Sequence, residues 1–107
     1  MLPSADPFAA LGDENRRSIL RLLAGGEQSV GQLASSMPIS RPAVSRHLRL
    51  LKEAGLVQER AVGTRRLYAL DDLGADAVRA YVESVWGEAM ARYRLVAENT
   101  RARGKTR

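Results

Sequence analysis

Apolar positions in this chain follow a helical period up to residue 55, alternate between 56 and 70, and return to the helical period from 71 to 99. Asp6 and Pro7 open the first helix as cap and first-position proline, Phe8 and Leu11 supply its apolar side, and Gly12 ends it. So short a helix has to pack on something to persist. Asp13 caps a second helix reaching about Ala24, with Ile19, Leu20, Leu22 and Leu23 as its core candidates and Gly25-Gly26 as its stop. Ser29 and Gln32 form a capping box for a third, in which Val30, Leu33, Ala34 and Met37 share one face until Pro38 closes it.

The fourth helix lies between the cap Ser40 and the stop Gly55. Val44, His47, Leu48 and Leu51 fall on one side, with Ala43 and Leu50 beside them. Pro42, Ser45, Arg46 and Arg49 fall on the other, with Arg41 and Lys52 at the edge. Only Pro38 and Ile39 separate Met37 from Ser40, so the third and fourth helices meet at a steep angle as a helix-turn-helix. Pro42 biases Arg41 away from helical geometry, which predicts a start one residue late. Arginine on an exposed helix face can read guanine in the major groove of DNA, which admits one helix; the same face could equally be a solvated surface.

The alternating segment predicts a hairpin. Gly63-Thr64 suits a two-residue type II′ loop, a three-residue loop being the alternative. The shorter loop pairs Val57 with Leu70 and Glu59 with Tyr68, and sends Arg65 and Arg66 to opposite faces near the tip. A long helix from Asp71 or Asp72 to about Asn99 follows, with acids in its first turn. Val78, Val82, Val85, Trp86, Ala89, Tyr93 and Val96 lie within an arc of about 100° on it, and Gly87 opposite marks a bend. The stripe is longer than a small domain needs for its own core, so core packing and a partner both remain open for it. Residues 101–107 have no large apolar side chain and are expected to be a disordered basic tail, leaving 1–100 as the single domain.

Composition narrows the chemistry. The 107 residues include no cysteine and one histidine, which removes thiolate sites and leaves little for a nitrogen-ligated metal. No metal and no cofactor is expected. His47 falls on the packed side of its helix and is assigned a structural role. No phosphate loop, nucleophile elbow or zinc-protease motif is present, and Asp71-Asp72 is explained as a helix start, so no enzyme is expected. No apolar run could cross a membrane and no signal pattern opens the chain, which predicts a cytoplasmic protein. The net charge of +5 is concentrated: residues 40–66 hold seven basic side chains against two acids, and 101–107 hold four against none. That distribution suits a polyanion.

Three segments carry a family resemblance: Leu11 to Leu20 (LGDENRRSIL), Ile39 to Leu48 (ISRPAVSRHL) and Leu51 to Val57 (LKEAGLV). With the order helix, helix, helix-turn-helix, hairpin, long helix, the chain resembles the ArsR/SmtB family of small dimeric bacterial repressors. The resemblance implies a mainly α fold with a small β-hairpin, the winged helix-turn-helix, that binds double-stranded DNA. It places Arg41, Pro42, Ser45 and Arg46 in the groove, beside Arg49 on the same helix face, and Gly63, Thr64, Arg65 and Arg66 at the wing tip. It also assigns Phe8, Leu11, Val82, Val85, Trp86, Ala89 and Tyr93 to a homodimer interface. Many members sense metals through cysteines in the third helix or through histidine and acidic ligands in the last. Here the third helix has no cysteine and the last no histidine, so the chain resembles a metal-free branch, whose members act as autorepressors or answer to organic ligands or partner proteins. A protein-docking winged helix and a non-specific nucleic-acid binder are the competing expectations.

Overall fold

Asp6, Asp13, Ser29 and Ser40 each start a helix by accepting a first-turn amide, from Phe8, Arg16, Gln32 and Ala43 respectively. The computed structural model describes the backbone of residues 4–105 and side chains through Thr100. The helices opened by those caps are α1 (Pro7–Ala10), α2 (Glu14–Leu23), α3 (Val30–Ser35) and α4 (Arg41–Glu53). The capping box at Ser29 is closed both ways: Gln32 donates its amide to Oγ at 3.2 Å, and Ser29 donates its own to the Gln32 side chain at 2.8 Å. The helix α3 stops two residues before Met37, because the amides of Ser36 and Met37 turn back three residues, to Leu33 and Ala34, and tighten the end ahead of Pro38. Pro42 does not delay α4. At the second helical position its missing amide has no intrahelical partner to lose, and Ser40 caps Ala43 instead, so the helix begins at Arg41.

Three strands follow or precede these helices: β1 (Gln28–Ser29), β2 (Val57–Val62) and β3 (Arg65–Leu70), in the order β1-β3-β2. The hairpin has the shorter loop, with Val62 opposite Arg65, Glu59 opposite Tyr68 and Val57 opposite Leu70. Gly63 has φ +62 and no described non-glycine residue has positive φ, which fits a left-handed residue at the first central position only, as type II′ requires. The sheet has one strand more than the expected hairpin. Gln28 and Ser29 pair with Tyr68 and Leu67 and cover the second edge of β3, and a two-residue strand has no period to read in advance.

The core joins Ile19 and Leu23 of α2, Leu33 of α3, Val44, Leu48 and Leu51 of α4, and the turn residues Ala54 and Leu56 with Val57. Gly55, at φ +73, turns the chain from α4 into the wing. The last helix, α5 (Asp72–Lys105), begins against that turn: Gly74 donates its amide to the Gly55 carbonyl at 2.7 Å, and a Cβ on Gly74 would sit 2.4 Å from the Ala54 carbonyl oxygen. Only glycine permits that approach.

The chain divides into two compact units between Ala77 and Val78. The second consists of the remainder of α5, unbroken through Gly87 and helical to Lys105. The disordered tail expected from residue 101 is therefore helical over 101–105, since Arg101, Ala102 and Arg103 favour helix and positive charge suits a helix C-terminus. Thr106 and Arg107 lie outside the described residues. No helix among the described residues is long and apolar enough to cross a membrane.

Candidate nucleic-acid interface

The two faces of α4 have separate tasks. Val44, Leu48 and Leu51 are wholly buried, which locks the helix to the core and fixes which side looks out. Arg41, Pro42, Ser45, Arg46 and Arg49 are all exposed on that outer side. Leu50, expected beside the apolar face, is exposed as well, lining an open groove with Ala9 and Ala10 of α1. His47 is half-buried on the flank, with Nδ1 3.3 Å from the Arg16 guanidinium and 3.9 Å from Asp13 Oδ2. These contacts with Arg16 and Asp13 brace α4 against the start of α2. The Arg16 amide holds the Asp13 carboxyl below its ordinary range, with His47 and the Arg16 charge adding to the effect.

Ion pairing sorts the basic residues. Among the described residues Arg41, Arg46, Arg49 and Arg65 form no salt bridge, whereas Arg60 is bound twice by Glu27, at 2.7 and 2.8 Å. Lys52 and Arg66 both approach Glu59, at 2.5 and 3.6 Å. The outer face of α4 and the wing tip, where Gly63, Thr64, Arg65 and Arg66 are all exposed, thus hold four of the described arginines without a carboxylate partner, and Arg16, Arg17 and Arg21 on α2 and Arg94 on α5 form no salt bridge either. Arg66 is the exception at the tip, since its guanidinium leans back toward Glu59.

Three features of this region escape inspection of the sequence. Gly31, in the first turn of α3, lies against the Arg41 guanidinium, which is 3.6 Å from where a Cβ would be, an ordinary van der Waals contact. Glu27 and Arg60 stand 33 residues apart and meet only because β1 joins the sheet. Glu59 collects Lys52 from α4 with Arg66 and Tyr68 from β3. Lys52, then Tyr68, hold the Glu59 carboxyl below the usual carboxylate range, while burial and the bond to Glu59 push the Tyr68 phenol up.

The residues expected at a dimer interface fall in two places. Phe8 is exposed and Leu11 half-buried in the first unit. In the second, Val82, Val85, Trp86, Ala89 and Tyr93 are all exposed, Trp86 by 50% and Tyr93 by 76%, and Trp86 meets Tyr81 edge to face at 6.3 Å. No cluster of three or more histidine, cysteine or acidic residues with metal-binding geometry occurs among the described residues.

Comparison with known proteins agrees with this architecture. The family model for bacterial regulatory proteins of the arsR family matches residues 13–59, from the α2 cap into the wing. The HTH-type transcriptional regulator Rv2034 of Mycobacterium tuberculosis is 49% identical over 86 residues, covering 80% of each chain. The transcriptional repressor SdpR of Bacillus subtilis is 39% identical over 64 residues, covering 60% of this chain and 71% of its own. Among solved structures, a possible transcriptional regulator for arsenical resistance superposes with a TM-score of 0.71 at 42% identity, over 88% of this chain and 96% of that one. The homodimeric winged helix-turn-helix DNA-binding domain of Mb0332 from Mycobacterium bovis superposes with a TM-score of 0.61 at 35% identity, over 81% of both. The mainly helical winged fold, the basic outer face of α4 and these likenesses together show that the chain belongs to the arsR family of bacterial regulatory proteins.

Proposed function

We propose that the chain acts in the cytoplasm as a homodimeric repressor that binds an inverted-repeat operator through residues 40–54 and the wing at 56–70, without responding to a metal. The observation that carries this reading is the cluster of exposed arginines without a carboxylate partner on the recognition elements: Arg41, Arg46 and Arg49 on the face of α4 turned away from the core, and Arg65 at the wing tip. A helix fixed by its buried side can present the opposite side to base edges in one orientation. Arg65 at the wing tip then contacts phosphate, which gives affinity without sequence. The exposed stripe on α5 supports pairing with a second copy, as in the homodimeric Mycobacterium bovis domain. A two-fold pair would set its recognition helices roughly 34 to 36 Å apart, one turn of DNA. Metal independence rests on the absence of cysteine and on the placement of the single histidine, His47, against Arg16.

The two kinds of contact separate experimentally on a duplex selected from a random pool. Arg46→Ala should lose ~1 to 3 kcal/mol of discrimination at one base position if its contact is bidentate. Arg65→Ala should weaken every sequence alike and flatten the salt dependence by about one phosphate contact. If both variants bind as the parent does, these residues do not form the interface.

A further inference from the structure

A carboxylate in a surface meant for a polyanion needs a reason. Glu59 is such a group: its side chain is only 17% exposed on β2, while its neighbours Gln58 and Arg60 are exposed. One oxygen takes the Lys52 ammonium at 2.5 Å, from the last turn of α4, and the other faces the Arg66 guanidinium at 3.6 Å, on β3. Tyr68 stands directly across the ladder from it and helps to hold the same carboxylate in its charged form. One acid therefore links the end of the recognition helix to both strands of the wing, and it occupies two cations that lie next to the unpaired arginines.

We propose that Glu59 is a positioning residue for DNA recognition: it clamps Lys52 and Arg66, so that helix and wing meet DNA in one fixed arrangement and those two cations are withheld from indiscriminate phosphate binding. The inference rests on the reading of the chain as a sequence-specific DNA-binding protein. Its logic is one of subtraction. Each cation that reaches a phosphate releases counterions and strengthens binding to every sequence equally, so neutralising the two that have no base to read raises the ratio of specific to non-specific binding. The geometric half of the effect comes from holding the wing, which otherwise could change its angle to α4.

Glu59→Gln keeps the volume and an oxygen acceptor for Tyr68 while removing the charge. Binding of parent and variant is measured on the selected duplex and on a random-sequence duplex over a range of salt. The variant is expected to bind the random duplex about fivefold or more tightly near 0.15 M salt, with a log–log salt slope steeper by about one to two. The ratio of selected to random affinity should fall by a similar factor. An unchanged slope and ratio in a variant that melts cooperatively overturns the clamp. Lys52→Gln attacks the same pair from the other side and serves if Glu59→Gln does not fold. It should lower the ratio while leaving the slope on random duplex unchanged, whereas a slope flatter by about one makes Lys52 a direct phosphate contact and overturns the proposal. If the parent itself does not distinguish the two duplexes, the repressor reading fails, and the slope of Glu59→Gln on random duplex still decides whether the two cations are withheld.

Discussion

Helices α4 and α5 carry the same kind of apolar stripe and treat it in opposite ways. Val44, Leu48 and Leu51 on α4 are wholly buried within the first unit, and what remains outside is basic. On the second unit Val82, Val85, Trp86 and Tyr93 are each at least two-fifths exposed, together with Met90 and Val96 nearby. Monomeric proteins rarely leave so continuous an apolar surface open to water, and such patches mark interaction sites. One stripe is a fastening within the chain and the other is an unspent one. The contrast teaches that amphipathicity alone does not say what a helix face meets: α4 is short, capped and surrounded by elements close in sequence, while the unit formed by the rest of α5 is a single helix with no second element of its own to cover the stripe.

Substitutions on the two stripes should therefore fail differently. Leu48→Ala removes a fully buried side chain and should cost about 2 to 5 kcal/mol of folding stability, read as a lower denaturant midpoint that does not depend on protein concentration. Trp86→Ala should cost about 2 kcal/mol or more of self-association, read by sedimentation as a dissociation constant raised at least about thirtyfold, with the far-ultraviolet spectrum of the monomer unchanged. A concentration-independent loss of stability in Trp86→Ala would make the α5 stripe an internal core and erase the distinction.

The smallest effect sharpens the comparison from the side of charge. Asp13, Glu27 and Glu59, all in the first unit, have carboxyls held below their ordinary values of 3.8 for aspartate and 4.5 for glutamate. A lowered folded-state value means that the charged form is favoured by folding, so this stabilisation is complete above about pH 5 and is lost as the pH falls through the lowered values. Thermal midpoints followed from neutral pH into acid should drop in the parent, and Glu59→Gln should show a smaller drop because one of the three groups no longer titrates. An equal drop in both would mean that Lys52 and Tyr68 contribute nothing to its ionisation.

Much of this was legible in the chain because the signals were local. Four helix starts follow from a cap and the amide it satisfies, and the hairpin register follows from Gly63-Thr64, since a two-residue loop determines every pair behind it. The exposed side of α4 follows from the wheel, apart from Leu50, which the wheel set beside the apolar face and the fold leaves exposed. What stayed hidden depends on distant residues meeting. The strand β1 is too short to show alternation, and Glu27 finds Arg60 only through it. The alternation sends Arg65 and Arg66 to opposite faces but does not say what each face meets: Arg66 leans toward Glu59 while Arg65 stays unpaired. Gly74 carries no pattern at all until α5 meets the turn after α4.

The central claim, that a pair of these chains reads DNA through α4, is tested most directly by enriching random duplexes on the purified protein at near-physiological salt. The account predicts an inverted repeat whose half-sites lie about one helical turn apart. Enrichment of no sequence, with binding that collapses as salt rises, would contradict it and leave only electrostatic contact with the phosphate backbone.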